Sequence, residues 1–288
     1  MANHMMENEF LRVTVADDGA ELISVWDKEA GQERIWSADP AVWNRHSPIL
    51  FPFVGKVVGG KYRIGEMEYA MKTQHGFARD MVFACTAETD VSVTHCLTAT
   101  AETLAIYPFD FRLTVCHRLT GRQLRIEWTV ENLGEGTMLF SIGGHPGLMM
   151  PDGVRKEDCL IAFTGKTVLQ YLSANASGYI LPQLKTLTLR DGLATWQDDI
   201  PDTWIFEDHQ VQTVGIAHPD GTPYVTMHCG DFPMLAVWAN PKGPFICLEP
   251  WVGRADDDGF TGTLDQKKDV QALPAGGTQD IAYAIEFH

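Results

Sequence analysis

The segment Leu124-Arg125-Ile126-Glu127-Trp128-Thr129-Val130-Glu131 alternates apolar and polar side chains without a break. Successive side chains of a β-strand point to opposite faces of the sheet, so this pattern predicts a strand with one buried and one solvated face. Shorter apolar runs separated by turn residues follow throughout the chain, and no segment shows amphipathic helical periodicity beyond a turn or two. We therefore predict an all-β protein, a large antiparallel sandwich or barrel with few short helices.

The chain has 288 residues, which allows one large domain or two of ordinary size. No Ser/Pro-rich linker, shift in composition or repeat of fixed period divides it. We therefore predict a single domain spanning residues 1–288. Within it, residues 81–133 are predicted to form strand after strand, whereas residues 256–271 are too polar and irregular for an assignment.

The composition and net charge disfavour two classes of binding partner. The formal charge of −16 disfavours nucleic acid, which requires clustered Lys and Arg, and it equally disfavours an anionic membrane surface. No apolar run approaches the roughly 18 residues of a membrane-spanning helix, and residues 1–10 lack the pattern of a signal peptide. We therefore expect a cytoplasmic protein, a monomer or a homodimer. The six cysteines are scattered without a CxxC pair, which disfavours a disulfide framework or a Cys-type zinc site.

A histidine occupies the segment Gly143-Gly144-His145-Pro146-Gly147, directly after the apolar run at residues 138–142. That run is predicted to be a buried strand, and the glycines and the Pro-Gly pair indicate that the backbone turns sharply where the strand ends. The imidazole would then lie at a sheet end, where histidine gives or takes a proton near neutral pH. A histidine beside a turn is nevertheless more often structural than catalytic.

Glu249 ends the apolar run at residues 245–248 and is followed by Pro250 and Trp251. Strand alternation therefore predicts a carboxylate at the edge of a buried sheet, next to an indole. This combination suits a sugar site, because the flat ring covers C–H faces while the acid binds a hydroxyl. The alternative is that Glu249 forms an ion pair with Arg254 or Arg45 and holds the loop.

Glu249 and His145 together would suit proton transfer in two directions, with the ionised carboxylate as base and the imidazole as acid. Further polar candidates in loops are Arg45, the segment from His75 to Arg79, and Asp202, which precedes a predicted strand.

Other chemistries are less well supported by the sequence. It has no GxGxxG or P-loop between strand and helix and no GxSxG motif. A metal site formed by His75, His145 and Glu249 stays open as an alternative, although no HxH or HxxxE spacing supports it. The acidic segment at residues 256–258 resembles a calcium loop only faintly, and a solvated acidic loop is expected there.

Five segments are similar to the aldose 1-epimerase (galactose mutarotase-like) superfamily, and most similar to its branch of LacX-like proteins and hexose-6-phosphate mutarotases. They occur in the family's order, and the similarity extends over nearly the whole chain. The segments are SPILFPFVGK (47–56), QHGFARD (74–80), YPFDF (107–111), FSIGGHPG (140–147) and CLEPWVG (247–253).

This resemblance implies a large antiparallel β-supersandwich and the interconversion of the α and β anomers of an aldose, without cofactor or metal. Glu249 would take the proton from the anomeric O1 hydroxyl, and His145 would protonate the ring oxygen O5. The open-chain aldehyde would then rotate and close on the other face. The residues implied in sugar binding are His75, Arg79 and Asp202, with a less secure match at Arg45, a further candidate at Lys56, and Trp251 beside the base.

The resemblance leaves the substrate open between a sugar and a sugar phosphate. The galactose-specific branch has Asn-His where this chain has Gly-Gly-His-Pro, and this difference separates the chain from that branch. Arg45, Lys56 and Arg79 could supply the cations that a phosphate needs, although the net charge of −16 leans against anionic ligands. A non-catalytic sugar-binding protein on the same fold and a metal-dependent β-sandwich enzyme are the rival interpretations.

Overall fold

The computed structural model describes residues 2–195, 203–230 and 232–288. The strands are β1 (Asn3–Glu7), β2 (Leu11–Ala16), β3 (Leu22–Asp27), β4 (Gln32–Glu33), β5 (Ile49–Leu50), β6 (Lys61–Ile64), β7 (Met67–Ala70), β8 (Ala84–Thr89), β9 (Ser92–Thr98), β10 (Phe111–Thr120), β11 (Gln123–Asn132), β12 (Met138–Phe140), β13 (Ile142–Gly144), β14 (Gly147–Met149), β15 (Leu160–Phe163), β16 (Val168–Tyr171), β17 (Lys185–Thr188), β18 (Leu193–Thr195), β19 (Thr203–Phe206), β20 (Thr213–Ala217), β21 (Pro223–His228), β22 (Met234–Trp238), β23 (Phe245–Val252), β24 (Gln271–Leu273) and β25 (Thr278–Phe287). One α-helix of the described part, α1, spans Ala101–Ile106, and short 3₁₀ helices span Val58–Gly60, Ala78–Asp80, Lys156–Asp158 and Leu264–Gln266.

A nine-stranded antiparallel sheet in the order β18-β15-β20-β21-β25-β11-β10-β9-β8 forms one layer. Strand β11 lies inside it, paired with β10 on one side and β25 on the other. Leu124, Ile126, Trp128 and Val130 are all buried, so the strand and its buried face are confirmed. The alternation succeeds as a predictor here because one face of β11 packs on the core and the other meets water.

The second layer is a six-stranded sheet in the order β19-β22-β23-β13-β5, with β14 also paired to β23. Side chains of β11 and β23, including Trp128 and Leu248, belong to one continuous apolar core, which makes the two sheets a sandwich. The all-β antiparallel fold class is therefore confirmed. A four-stranded sheet, β1-β2-β3-β4, and the two-stranded pairs β6-β7, β12-β24 and β16-β17 complete the described part.

Four local expectations were wrong in detail. The run at residues 138–142 is divided between β12 and β13, and β23 continues through Pro250 to Val252, so Glu249 lies within a strand. Helix α1 interrupts residues 81–133, where a capping box between Thr100 and Thr103 starts it. The side chain at Asp256 is buried, because it binds Lys267 and accepts a hydrogen bond of 2.8 Å from Val58 N, so that acid is not solvated.

All six cysteines lie in the described part and are free thiols. Among the residues that the structure describes, no helix is long and apolar enough to cross a membrane.

Candidate active site

Glu249 and His145 meet at a cavity of about 580 Å³ that both residues line. Strand β23 alternates, so that Ile246 and Leu248 enter the main core while Glu249 and Trp251 face the cavity. Strand β13 pairs with β23 through Gly143 and Trp251 and ends one residue before His145. This pairing places His145 Nε2 3.3 Å from Glu249 Oε2, although the two residues lie far apart in the chain.

The glycines before His145 serve packing rather than access for a ligand. A Cβ added to Gly143 would lie 2.7 Å from Trp251 Cδ1, and one added to Gly144 would lie 2.6 Å from Tyr283 Oη. Both distances are shorter than real Cβ contacts, so side chains at these positions would displace β13 from its neighbours. Gly143 and Gly144 therefore let β13 pack closely against Trp251 and Tyr283.

Burial shifts the two facing groups in opposite directions. Glu249 is 1 % exposed and His145 is 8 % exposed. Loss of solvent raises the pKa of Glu249 well above its usual value, an effect that the nearby Trp251 indole partly offsets. Burial, together with the smaller effect of the positive charge of Arg79, lowers the pKa of His145 to about 3. Burial therefore favours a neutral carboxyl beside a neutral imidazole.

Four buried polar atoms at this site lack a hydrogen-bond partner within the described part of the chain: Arg79 Nε, His145 Nδ1, Glu249 Oε2 and Trp251 Nε1. An unpaired buried polar atom costs about 1–3 kcal/mol. Such atoms are rarely grouped in a folded protein, and here three of their residues line one cavity. The grouping indicates a site that is completed by a polar ligand.

Two tryptophans that the sequence analysis did not single out enclose His145. The Trp43 ring stacks on the imidazole with centroids 4.9 Å apart, and Trp238 meets it edge-on at 5.5 Å. Both line the cavity beside Trp251. The one signal in the sequence is the position of Trp43, two residues before the candidate Arg45.

His75 is held in a strained backbone conformation with φ of +66°. Its backbone N–H donates to Gly55 O at 2.7 Å, and Gly55 N–H donates in return to His75 Nδ1 at 3.1 Å. Burial lowers the pKa of His75 well below its usual value, and electrostatic interactions with His145, Arg79 and Lys56 act in the same direction. A neutral ring whose Nδ1 accepts must carry its proton on Nε2, so His75 offers the cavity a donor.

The three predicted cations are held differently. Lys56 lines the cavity. Arg45 binds the Asp80 carboxylate and donates to Arg79 O at 3.1 Å. Burial and the charge of Arg45 lower the pKa of Arg79, whose Nε lies 3.9 Å from Asp80.

The alternative role for Glu249, an ion pair with Arg254 or Arg45, is wrong. Arg254 binds Glu207 and Asp257 instead, and Arg45 binds Asp80. The remaining candidate, Asp202, lies outside the described residues.

One group of residues at the site could hold a metal ion. Ligand atoms of His145, Cys247 and Glu249 lie within 4.8 Å of one another, whereas the set predicted from the sequence had His75 in place of Cys247. Burial raises the pKa of the Cys247 thiol well above its usual value.

The family model described as aldose 1-epimerase matches residues 3–258. The chain belongs to the aldose 1-epimerase family. The LacX protein encoded on a plasmid of Lactococcus lactis subsp. lactis is 30% identical over 298 residues, which cover 97% of this chain and 97% of that protein. The resemblance inferred from the five sequence segments is confirmed.

Solved structures of the aldose 1-epimerase type agree with the fold described above. A galactose mutarotase related enzyme from Lactobacillus acidophilus superposes with a TM-score of 0.93 at 29% identity, over 100% of this chain and 97% of that one. A galactose mutarotase-like protein from Lactobacillus casei gives a TM-score of 0.92 at 30% identity, over 100% of both chains. The sandwich is thus shared along the full length of this family member.

Proposed function

We propose that this chain is an aldose 1-epimerase that interconverts the α and β anomers of a hexose or hexose phosphate by proton transfer alone. Glu249 removes the proton from the O1 hydroxyl, and His145 donates a proton to the ring oxygen O5. The observation that carries the proposal is the 3.3 Å separation of His145 Nε2 and Glu249 Oε2 in one cavity. No cofactor takes part, because each step moves only a proton and an electron pair within the sugar.

The geometry of the reaction matches that separation. O1 and O5 are bonded to the same carbon, so the group that accepts from one must lie beside the group that donates to the other. Loss of the O1 proton forms the C1 carbonyl while the C1–O5 bond breaks and O5 takes the proton from His145. The C1 carbonyl then rotates, and reclosure on its other face runs the transfers in reverse, with the two residues exchanging roles.

The shared proton must be placed correctly before the reaction starts. Glu249 and His145 hold one acidic proton between them, either as a neutral pair or as carboxylate and imidazolium. Burial favours the neutral pair, with Glu249 protonated. Sugar hydroxyls that donate to Glu249 favour its ionised form, so substrate binding itself shifts the proton towards His145.

The other candidate residues orient the sugar. His75 offers the Nε2–H donor, and Trp251 covers an apolar C–H face of the ring. Arg79 and Lys56 bind hydroxyl or phosphate oxygens. Arg45 holds Arg79 in place by donating a hydrogen bond to the backbone carbonyl of Arg79. Asp202 binds a hydroxyl. The cavity of about 580 Å³ lies within the range of small-molecule sites.

Two rival functions each have one observation in their favour. A protonated Glu249 cannot act as a base, which favours a sugar-binding protein without catalysis. The grouping of His145, Cys247 and Glu249 favours a metal-dependent reaction.

Mutarotation of freshly dissolved α-glucose, α-galactose and glucose 6-phosphate, followed by polarimetry or saturation-transfer NMR, tests the proposal. We expect acceleration of at least one sugar, and a loss of about 10²–10⁴-fold in kcat for Glu249→Gln. Glu66→Gln, at an exposed hairpin turn, is the matched control and keeps full activity.

The remaining outcomes separate the rivals. Calorimetric binding of a sugar without any rate enhancement selects the binding protein. Activity that is lost on dialysis against a chelator and restored by metal selects the metal-dependent enzyme. Full activity in Glu249→Gln contradicts the proposed base.

A further inference from the structure

A second group of metal-binding side chains lies apart from the cavity. His4 is on β1, Cys85 on β8 and His95 on β9, where the first strand of the four-stranded sheet packs near the edge of the nine-stranded sheet. One ligand atom of each lies within 4.8 Å of those of the other two. None of the three lines the cavity of Glu249, so the group has no part in the proposed reaction.

His95 is the least expected member of this group. It is 0 % exposed, and within the described residues neither of its ring nitrogens makes a hydrogen bond. A buried imidazole without a well-formed hydrogen bond is costly, because its polar nitrogens lose water. The Oδ1 atom of Asp17 lies 3.4 Å from His95 Nε2 and 2.9 Å from His4 Nε2, so both nitrogens converge on one carboxylate.

The carboxylate of Glu88 orients the His4 ring, as carboxylates that are hydrogen-bonded to ligating histidines do in metal sites. Glu88 Oε2 lies 2.8 Å from His4 Nδ1, and Asp17 Oδ1 lies 2.9 Å from His4 Nε2, so each ring nitrogen faces a carboxylate. In the tautomer that donates from Nδ1 to Glu88, Nε2 on the Asp17 side is the nitrogen that can bind a metal. A carboxylate behind a ligating histidine is the usual second partner of a protein-bound zinc ion.

We propose that His4, Cys85 and His95 bind one Zn²⁺ ion, and that Asp17 moves in as the fourth ligand. Two imidazole nitrogens, one thiolate and one carboxylate form a closed set of four ligands, which is typical of structural zinc. Zinc bonds of about 2.0–2.3 Å in a tetrahedron place ligand atoms about 3.3–3.7 Å apart, so the ligand atoms of His4, Cys85 and His95, which lie within 4.8 Å of one another, close by roughly 1 Å on binding. The ion also neutralises the negative charge of Asp17 and the thiolate, and it gives His95 a ligand bond in place of its long contact with Asp17.

This site would join two sheets at an exposed edge. Strand β8 ends the nine-stranded sheet, and an edge strand carries unpaired backbone groups. Backbone hydrogen bonds already link the sheets nearby, at Glu7 N to Asp90 O, 2.8 Å, and at Phe83 N to Asp17 O, 2.8 Å. Zinc adds a bond network between β1, β8 and β9, so its expected effect is on stability rather than on mutarotation.

Zinc content and cobalt spectroscopy on the full chain test the site. The protein is freed of metal with a chelator, then titrated with Zn²⁺ against a competing chromophore and, separately, with Co²⁺. We expect one ion per chain, tetrahedral d–d bands for Co²⁺ with a thiolate charge-transfer band, and a Tm that rises with added zinc.

Two variants locate the ion, Cys85→Ser and His4→Gln, both at partly exposed positions. Each is expected to weaken zinc binding about 100-fold and to remove the zinc-dependent rise in Tm. Cys96→Ser is the matched control, because Cys96 is also a half-buried free thiol on β9 but lies outside the group. Unchanged zinc affinity in both Cys85→Ser and His4→Gln overturns the proposal, as does wild-type protein without stoichiometric zinc binding. Binding that is lost in Cys247→Ala and kept in Cys85→Ser places the ion in the cavity and overturns it equally.

Discussion

The floor and the rim of the cavity are built on different principles. The floor consists of His145, Glu249 and Trp251, which lie in or next to the paired strands β13 and β23. The group that we call the rim consists of Lys56, which lines the cavity, and of Arg45 and Arg79, which are not among its described lining residues; all three lie on connections between strands. Each floor residue has a buried polar atom without a partner among the described residues, as Arg79 has, whereas Arg45 is bound to Asp80.

We expect this difference to separate the residues that catalyse the proposed reaction from the residues that select the substrate. A strand buried on both faces holds a carboxylate in one position and keeps water away from it, which proton transfer requires. Loops tolerate changes in length and sequence, so they can adapt to different sugars on an unchanged floor. The comparison predicts that floor substitutions lower kcat and that rim substitutions change KM.

The largest effect is expected from replacing the acid. His145→Asn keeps a polar side chain of similar size but cannot donate a proton to O5, so kcat falls about 10²–10⁴-fold with little change in KM. His218→Asn, in a surface turn, is the control. A large rise in KM with unchanged kcat would show that the floor binds rather than catalyses, and the distinction between floor and rim would fail.

A smaller effect is expected at Arg79. Arg79→Met keeps the side-chain length but loses a charged hydrogen-bond donor, so KM rises about 10–100-fold. The charge of Arg79 also lowers the pKa of His145, so the variant raises that pKa from about 3 towards its usual value. The acid limb of the pH profile of kcat/KM should therefore shift to higher pH. An unmoved profile with a kcat effect alone contradicts this role.

The next prediction concerns stability at the floor. The folded-state pKa of Glu249 is raised, so the folded protein binds a proton more tightly than the unfolded chain does. That contribution to stability is present below about pH 4.5 and is lost as the pH rises through the folded-state pKa. Glu249→Gln should therefore be more stable than wild type at pH 7.5 by about 1 kcal/mol, or 2–4 °C in Tm.

Calorimetric Tm values at pH 7.5 and pH 4.5 check this expectation. The gain should shrink at the lower pH, where Glu249 is protonated in the folded state and about half protonated in the unfolded chain. The Glu66→Gln control should show no gain at either pH. A variant that is less stable than wild type at pH 7.5 would mean that the ionised Glu249 is held by stronger interactions than burial alone allows.

The smallest effect is expected at Lys56 with a neutral sugar. Lys56→Met removes one partly exposed ammonium, which contributes about 0.2–1 kcal/mol, so KM for glucose rises by a factor of about five or less. For glucose 6-phosphate the same variant loses a charge-assisted hydrogen bond, and the effect should be larger. Equal changes in KM for both sugars would show that Lys56 does not contact the phosphate.

The sequence predicted those features that depend on neighbouring residues. Strand β11 followed from its own alternation, and His145 was placed at a strand end by the residues around it. Helix α1 was missed because Ala101–Ile106 resembles an apolar strand run, and only the Thr100 cap marks its start. The burial of Asp256 was missed because it depends on Lys267, a partner with no local signature.

The site itself needed information from beyond the local sequence. Nothing in the residues near Glu249 indicates that it faces His145, since the pairing of β13 with β23 brings them together. The resemblance to a family supplied that partner. Neither the local sequence nor the family resemblance indicated that Trp43 stacks on His145, because this contact depends on how the loop before β5 folds over the sheet.

Strand β23 carries the proposed base in a stretch where all eight residues are buried. Inserting or deleting one residue there would exchange the two faces of the strand, moving Leu248 into the cavity and Glu249 into the apolar core. For descendants of this sequence, the proposed catalytic carboxylate is therefore tied to the survival of the fold itself. Changes in the surrounding loops carry no such penalty, so a new sugar preference is more readily reached than a new reaction.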